Sequence, residues 1–338
     1  MKNRILISIS AIFFLLPAGC GSNVSKVSRP LLGTVITITI ADDPGKTADA
    51  FSAAFGEIEA VQTAFNLYNP ESEISVINNT ASRRPMKAGE DVFNLIKKSI
   101  EISEISQGAF DITYASTGKL WDFSKENFTP PDDKIIQKLL PLISYRNIKL
   151  DDKERTVKFL KDDTKIGLGG IAKGYASGKA VSELKRRNIK GAIVACAGDI
   201  QVLGDNNGKP WRTGIQDPRG DSVIAAIDMH DGESVSTSGD YERFKIVNGR
   251  RYHHIIDPST GYPADSGLIS VSVFSNDPVL SDAYSTAFFI SGLEKSKRIL
   301  SSKKNLQAVF ITHDMTIYAS EALEKRIEFS KGLKVIYF

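Results

Sequence analysis

The sequence predicts an α+β fold, in which helices and strands are interspersed without the steady strand–helix alternation of a doubly wound sheet. Val35–Ile40 alternates β-branched residues, which is typical of a half-buried strand. Thr47–Phe65 and Asp91–Ser106 instead carry apolar residues at helical spacing. One strand followed by two helices, with no repeating βαβ unit, favours the mixed class.

The rest of the chain continues this irregular order. Pro130, Pro131 and two aspartates stand near the start of a helix predicted over Thr129–Leu142. The later predicted elements are a helix over Ala176–Arg187, a strand over Gly191–Ala197, a strand over Ile269–Phe274, a helix over Pro278–Ile290, and a closing hairpin formed by Gln307–Thr312 and Met315–Ala319.

The composition is that of a globular protein with enough apolar residues for a sizeable core. Of 338 residues, 41% are hydrophobic and 25% charged. The 43 basic residues include Lys2 and Arg4 near the N-terminus, so 41 basic and 40 acidic residues follow. A nearly neutral chain without a basic run argues against a nucleic-acid-binding protein.

The first twenty residues have the pattern of an export signal. Met1–Arg4 is basic, Ile5–Leu16 is an apolar run too short to span a bilayer comfortably, and Pro17–Cys20 places small residues before a cysteine. This arrangement resembles the bacterial lipobox, in which the cysteine is lipidated, although Pro17 stands where leucine is usual. A plain secretory signal or an uncleaved anchor are the alternatives.

We therefore expect a signal peptide over residues 1–19, a lipidated N-terminus and polar tether over 20–28, and one domain over 29–338. Cys196, the only other cysteine, lies in an apolar run. With no internal disulfide available after lipidation, the protein must depend on its core. We expect Cys196 to be a small buried hydrophobic residue rather than a nucleophile.

A glycine-rich segment over Ile166–Tyr175 precedes a predicted helix. Glycines before a helix let the backbone approach a phosphate, the helix N-terminus supplies N–H groups, and Lys173 adds a positive charge. The spacing also fits a dinucleotide-binding fingerprint, but the surrounding order is not that of a Rossmann fold. From the residues, a structural glycine turn is an equally good interpretation.

Asp282 and Thr286 stand four residues apart in a predicted helix that Asp277 and Pro278 begin. The two side chains therefore share a helix face, and a carboxylate with a hydroxyl suits Mg²⁺ that substrate phosphates also hold. Local hydrogen bonding within the helix is the alternative interpretation, and from these residues the more frequent one.

Two of the four histidines, His253 and His254, precede a turn-rich Asp-Pro-Ser-Thr-Gly segment. Neighbouring residues on a strand point to opposite faces, so one histidine could face a pocket and act as a base or charge partner. Asp111 starts another short element after Gln107-Gly108, where turn chemistry is the usual role.

Together and in this order, these segments resemble the ApbE family, the FAD:protein FMN transferases. The resemblance spans about Arg29 to Ser320 and rests on eight segments, namely Leu32–Thr34, Tyr68–Asn78, Phe110–Thr113, Leu168–Ala176, Ala197–Ile200, Ser236–Tyr241, His254–Gly261 and Asp282–Thr286.

The resemblance implies a fold with mixed, largely antiparallel sheets and a flavin site in a cleft between lobes. It implies FAD as substrate and Mg²⁺ as metal, an acceptor redox flavoprotein subunit with a target Thr or Ser, and AMP as second product. Its implied residue roles are a catalytic His254, a metal site of Gly170, Asp282 and Thr286, and flavin contacts from Leu32, Ala64, Phe65, Asn66, Asp111, Lys173 and Ile256. It also fits an exported enzyme anchored through Cys20 and facing the periplasm.

Three positions depart from the family pattern. Leu32 replaces the usual methionine, Gly167 stands where an aspartate commonly precedes Leu-Gly-Gly, and Gly178 replaces a frequent aspartate. Asn66 occupies a position that could tune hydrolysis against transfer. The sequence thus leaves two other activities open: an FAD pyrophosphatase that yields free FMN and AMP, or a non-catalytic periplasmic FAD-binding lipoprotein.

Overall fold

The computed structural model describes residues 23–338, so the predicted signal peptide and Cys20 lie outside the described residues. The strands are β1 (Val24–Leu31), β2 (Thr34–Ala41), β3 (Met86–Lys87), β4 (Ile148–Asp151), β5 (Thr156–Phe159), β6 (Gly191–Cys196), β7 (Asp199–Gly204), β8 (Trp211–Gln216), β9 (Val223–Met229), β10 (Ser234–Gly239), β11 (Phe244–Val247), β12 (Arg250–His253), β13 (Leu268–Ser275), β14 (Gln307–Thr312), β15 (Ile317–Ala319), β16 (Ile327–Phe329) and β17 (Val335–Tyr337).

The helices are α1 (Pro44–Phe65), α2 (Glu73–Thr80), α3 (Glu90–Ile105), α4 (Ala115–Gly118), α5 (Asp133–Leu139), α6 (Ala172–Arg186), α7 (Pro278–Ser291) and α8 (Leu293–Ser302). Short 3₁₀ turns cover Ile112–Tyr114, Leu140–Leu142, Tyr145–Asn147 and Glu321–Leu323.

A nine-stranded sheet forms the centre of the protein. Its order is β1-β2-β6-β7-β10-β13-β14-β15-β17, and every neighbouring pair is antiparallel except β15–β17. Two three-stranded sheets, β16-β9-β8 and β3-β5-β4, and the β11–β12 hairpin complete the strands described over residues 23–338. The predicted α+β class with largely antiparallel sheets is confirmed.

The central sheet is covered on both faces. In β6, Ala192, Val194 and Cys196 pack with the helices, whereas Ile193 and Ala195 pack against the sheet formed by β8, β9 and β16. Burial of both faces explains why the β6 sequence is apolar at every position rather than alternating. Cys196 is fully buried, which confirms the expected role as a small hydrophobic residue.

The tether expected over residues 20–28 is wrong for residues 24–28. Val24–Ser28 belongs to β1, which pairs with β2 from Val24↔Ala41 to Leu31↔Thr34. β1 is an edge strand with half-exposed positions, so its side chains can be as polar as those of a tether. Over residues 23–338, no helix is both long and apolar enough to cross a bilayer.

The helix predicted over 129–142 is shorter than expected. Asp132 is the N-cap of α5, and its side chain accepts a hydrogen bond from the Lys134 N–H. Pro130 and Pro131 therefore precede the helix rather than start it. The C-terminal part is a 3₁₀ turn that contains Pro141, because a proline cannot continue the α-helical hydrogen bonds.

The close crossing of α6 and α7 depends on Gly174. A Cβ at this position would collide with the carbonyl oxygen of Pro278 and lie 2.7 Å from the Cβ of Asp282. The backbones of the two helices can therefore meet only where one residue has no side chain. This contact places the first turn of α6 against the face of α7 that carries Asp282.

Gly174→Ala should reduce the free energy of unfolding by about 3 kcal/mol, because the added methyl group forces α6 away from α7. Urea unfolding followed by circular dichroism measures this change. Gly56→Ala is the matched control: it lies in α1 with nothing within 4 Å of the added Cβ. It should raise stability by about 0.5–1 kcal/mol. Equal effects of the two substitutions would contradict the steric argument.

Candidate functional site

The glycine-rich loop, residues 167–170, packs tightly on its surroundings. The Gly167 N–H donates a hydrogen bond of 2.8 Å to the Ile112 carbonyl oxygen. A Cβ at Gly167 would lie 3.0 Å from Leu67 Cδ1, and one at Gly170 would lie 3.6 Å from Thr286 Oγ1. The loop therefore reaches α7, and Gly170 and Thr286 are neighbours although 116 positions separate them.

Asp282 extends from α7 to the start of α6. Its Oδ2 accepts a hydrogen bond of 2.8 Å from the Gly174 N–H, and the residue is 2% exposed. The Asp282 carboxylate thus lies at the N-terminus of α6, where the helix dipole favours a negative charge. Helix α7, which carries Asp282, begins as the sequence predicts, with Asp277 as N-cap and Pro278 in the first turn.

Lys173 and Asp199 form an ion pair beside Asp282. The Asp199 side chain is 2% exposed and that of Lys173 is 32% exposed, so the cation alone reaches solvent. Burial by itself would lower the pKa of Lys173, but the carboxylates of Asp199 and Asp282 outweigh it and raise that pKa. Lys173 is therefore charged at neutral pH, and much of its charge is balanced within the protein.

The same cluster has more negative than positive charge. Burial, followed by the nearby Asp199 carboxylate, raises the pKa of Asp282 above its ordinary value. Asp199 Oδ1 is buried and has no hydrogen-bond partner within the described part of the chain. A carboxylate oxygen without a partner next to a second carboxylate is the environment that a divalent cation would stabilise.

The available donors fit Mg²⁺ better than a transition metal. The Gly170 carbonyl, Asp282 and Thr286 carry hard oxygen atoms of the kind Mg²⁺ prefers, and Mg²⁺ commonly takes few protein ligands together with substrate phosphates. Between residues 23 and 338, no three His, Cys, Asp or Glu side chains form a metal-binding group. The residues present therefore suit a cation that backbone, hydroxyl and phosphate oxygens complete.

A chain of hydroxyl groups orients Thr286. Its Oγ1 lies 3.2 Å from Ser238 Oγ in β10, and Ser238 Oγ lies 2.8 Å from Ser285 Oγ. Ser285 in turn donates to the Asp282 carbonyl oxygen at 2.8 Å. These contacts connect β10 to the Asp282–Thr286 face of α7 and hold the threonine hydroxyl in one region.

The two adjacent histidines have different environments. His253 is 5% exposed, its Nε2 donates to the Ala264 carbonyl oxygen at 2.9 Å, and its Nδ1 accepts from the Ile255 N–H at 3.3 Å. Its ring also meets Phe289 edge-on. Both nitrogens are thus used within the fold, which leaves His253 a structural residue.

His254 is reached by solvent, and its backbone N–H donates to the Arg243 carbonyl oxygen at 3.0 Å. Desolvation by the surrounding protein and the positive charges of Arg243 and Lys173 lower the pKa of His254 well below its ordinary value. The imidazole is consequently neutral at pH 7, and the same shift makes it a weaker base than an ordinary histidine.

Four predicted flavin contacts lie together where β1 and α1 end. The Leu32 N–H donates to Gln62 Oε1 at 2.7 Å, which joins the β1–β2 turn to the last turn of α1. Ala64 and Phe65 close this helix, and Asn66 is its C-cap. Their contact with flavin stays a prediction.

Asp111 and Ile256 both make contacts that stabilise the fold. Asp111 is 6% exposed and accepts hydrogen bonds from the Thr113 N–H, the Thr113 hydroxyl and the Tyr145 N–H. Ile256 is also 6% exposed and packs in a cluster with Trp121, Phe128 and Ile136. Neither set of contacts involves Lys173 or Asp199, and the flavin roles of both residues stay predictions.

The structure adds residues that the sequence reasoning did not select. Asp199 is the most important of them because it pairs with Lys173 beside Asp282. It lies within Ala197–Ile200, one of the eight segments that resemble the ApbE family. Tyr68, which follows α1, is 97% exposed, an unusual state for a large aromatic side chain. Arg243 donates to the Gly33 carbonyl oxygen at 3.3 Å and so joins the β11–β12 hairpin to the β1–β2 turn.

A cavity open to solvent lies next to the Ala197–Ile200 segment that contains Asp199. Its walls include Ala197, Gly198, Thr237, Tyr241 and Glu242. Desolvation raises the pKa of Glu242, and Lys173 opposes that change, so the carboxyl group lies near the charged cluster. Ile200, Ile227 and Val235, which also line it, belong to the core between the two sheets, so the cavity lies between the central sheet and the sheet formed by β8, β9 and β16.

Lys173→Met should lower the free energy of unfolding by about 3–5 kcal/mol, because it leaves Asp199 buried without its ion-pair partner. Chemical unfolding in EDTA measures the loss without contribution from a metal. The double variant Lys173→Met/Asp199→Asn should recover more than half of that loss, since the unpaired charge is gone. A double variant as unstable as the single one would show that the ion pair is not what stabilises this region.

Comparisons with known proteins identify the family of the chain. The ApbE family profile matches residues 32–310. The chain is 30% identical to an FAD:protein FMN transferase of Klebsiella pneumoniae, covering 93% of this chain and 98% of that protein. It is also 30% identical to one of Treponema pallidum, covering 91% of each.

Solved structures of ApbE proteins have the same fold as this chain. The ApbE protein from Thermotoga maritima superposes with a TM-score of 0.83 and 32% identity, covering 90% of this chain and 99% of that one. The flavin transferase ApbE from Vibrio cholerae shares the fold, with a TM-score of 0.82 at 23% identity over 90% of this chain and all of that one. The chain therefore belongs to the ApbE family and is an FAD:protein FMN transferase by that membership.

Proposed function

We propose that the protein uses Mg²⁺ to transfer the FMN half of FAD to a Thr or Ser hydroxyl of an acceptor protein, with release of AMP. The observation that carries this proposal is the α6–α7 contact. It brings Gly170, Lys173, Asp282 and Thr286 to one place, beside the unpartnered Asp199 oxygen.

Gly170, Asp282 and Thr286 are the residues that would hold the metal. When bound there, Mg²⁺ would neutralise charge on the FAD pyrophosphate as its P–O bond breaks. Asp282 is suited to this role because its carboxylate is buried and already oriented by the Gly174 N–H. Thr286 is oriented by Ser238 in the same way.

Lys173 and the N-terminus of α6 would steady the phosphates. Lys173 is charged, partly exposed and anchored by Asp199, so its position is set before substrate arrives. The glycine-rich loop next to it lets the backbone come close to a phosphate. Preorganised positive charge of this kind lowers the barrier because little reorganisation is needed during the reaction.

His254 would receive the proton of the acceptor hydroxyl. The hydroxyl oxygen forms a bond to the FMN phosphorus, the phosphoanhydride bond breaks, and AMP leaves with the bridging oxygen. A neutral imidazole is the form that can accept a proton, and the environment of His254 favours it. The product is an acceptor that carries FMN through a phosphoester.

We further propose that the enzyme is exported and held at a bacterial membrane through lipidated Cys20, facing the periplasm. The basic, apolar and small-residue segments before Cys20 support this proposal. The acceptor is then a redox flavoprotein subunit on the same side of the membrane. The near balance of basic and acidic residues gives no support to a nucleic-acid partner.

One assay separates transfer from the two other activities. The protein is incubated with FAD, Mg²⁺ and candidate acceptor peptides that contain Thr or Ser, and the products are resolved. Covalent flavin fluorescence on a peptide together with AMP supports the proposal. Free FMN with AMP in the presence of every acceptor would establish a pyrophosphatase, and unchanged FAD would leave a binding protein.

Asp282→Asn should lower the rate of Mg²⁺-dependent transfer at least about 100-fold, because the metal loses its charged ligand. AMP release and covalent flavin fluorescence measure the rate, and EDTA should inhibit the wild-type protein to a similar extent. Asp277→Asn is the matched control on the same helix, since asparagine is also a good N-cap. A fully active Asp282→Asn protein would contradict the metal assignment.

His254→Ala should slow transfer to the peptide more than hydrolysis of FAD, because water needs less orientation than a protein hydroxyl. The pH profile of kcat/KM for transfer should contain no inflection near 6.5, the ordinary histidine value, that His254→Ala removes, whereas a decline caused by protonation of Asp282, whose pKa is raised, should remain in that variant. The reason is that the free enzyme keeps His254 neutral to lower pH. An inflection near 6.5 that disappears in His254→Ala would show that the environment does not lower its pKa.

A further inference from the structure

Two long elements run in the same direction from one end of the protein to the other. β1 extends from Val24 to Leu31, and α1 extends beside it from Pro44 to Phe65. Arg29 pairs with Glu59 at 3.2 Å, and the Leu32 N–H bonds Gln62 at 2.7 Å, so the last turns of α1 lie against the end of β1.

The start of β1 belongs to one end of the central sheet. The register aligns Val24 with Ala41, Ala41 with Gly191, and Gly191 with Gly204. The surface at this end is polar. A shallow depression in it is lined by Asn23, Asp42, Asp43, Lys190, Asp205 and Asn207. We call this surface the base.

The candidate site belongs to the opposite end. A second row aligns Arg29 with Ile36, Ile36 with Cys196, and Cys196 with Asp199. Along β1, this row lies about 17 Å from Val24, and Leu32 lies about 26 Å from it, at about 3.3 Å per residue. The 22 residues of α1 cover a similar length, about 33 Å.

The chain between Cys20 and the base is very short. Only Gly21, Ser22 and Asn23 separate Cys20 from Val24. Four residue steps span at most about 14 Å even when fully extended. A lipid on Cys20 would therefore keep the base close to the bilayer, which a tether of nine residues would not do.

We propose that the anchored protein stands with its base toward the bilayer and its site toward the periplasm, about 17–40 Å above the membrane surface. This inference rests on the proposed lipid anchor. The acceptor it fits is a membrane-bound protein whose target Thr or Ser lies at that height. In this orientation a hydroxyl directly at the headgroups is out of reach, because the site stands at least about 17 Å above them.

The orientation can be measured without catalysis. The full-length lipidated protein is reconstituted in phosphatidylcholine vesicles that contain a lipid-linked quencher, and single cysteines carry a donor dye. Lys46→Cys labels the start of α1, and Glu71→Cys labels an exposed position just beyond its end. Cys196 is buried and would not react.

Energy transfer from Lys46→Cys to the lipid should be at least about twofold stronger than from Glu71→Cys, since the labels are about 30 Å apart along α1. A Gly-Ser insertion of about 20 residues between Ser22 and Asn23 should remove most of this difference. Equal transfer from both labels without the insertion would overturn the proposal. Failure of the protein to float with the vesicles would overturn it too, while FMN transfer in solution could still be present.

The reach to the acceptor is tested with the peptide that becomes labelled in the transfer assay. It is displayed on a transmembrane helix through helical spacers of about 10 and 30 Å, at 1.5 Å per residue. The anchored enzyme should prefer the longer spacer at least about tenfold, and a form without residues 1–20 should modify both alike. Equal modification of both by the anchored enzyme would overturn the proposal.

Discussion

The site depends on one hydrogen bond at one close helix crossing. The Gly174 N–H bonds the Asp282 carboxylate, and the absence of a side chain at Gly174 lets α6 and α7 come together. This contact brings the glycine-rich loop to Thr286 and places Lys173 beside two carboxylates. Without it, Asp282 and Thr286 on α7 would lie apart from Lys173 on α6.

The crossing of α6 and α7 also determines which charges lie together at the site. Asp199 and Asp282 are both about 2% exposed, and Lys173 is the cation that offsets them. Burying two carboxylates beside one ammonium is costly for folding, and the cost shows in the raised pKa of Asp282. This arrangement suits the proposed binding of a divalent cation and a pyrophosphate, because buried carboxylates attract the cation and Lys173 attracts the phosphates.

Part of the fold could be predicted from local sequence patterns. The alternation of Val35–Ile40 and the cap at Asp277 correspond closely to β2 and α7, because both signals arise from neighbouring residues. Val24–Ser28, the first part of β1, has the composition of a polar tether, and its pairing with β2 cannot be predicted from its own residues. The difference matters because it shortens the distance between Cys20 and the base.

The sequence by itself determined the mixed α+β class, the family, and the residue types that a phosphate and metal site needs. Only the tertiary structure decided that His253 is structural while His254 is accessible, and that Asp199 joins Lys173 and Asp282. The reason is physical: burial, pairing and pKa depend on groups far apart in the chain. Motifs identify the chemistry, whereas packing decides which side chains meet.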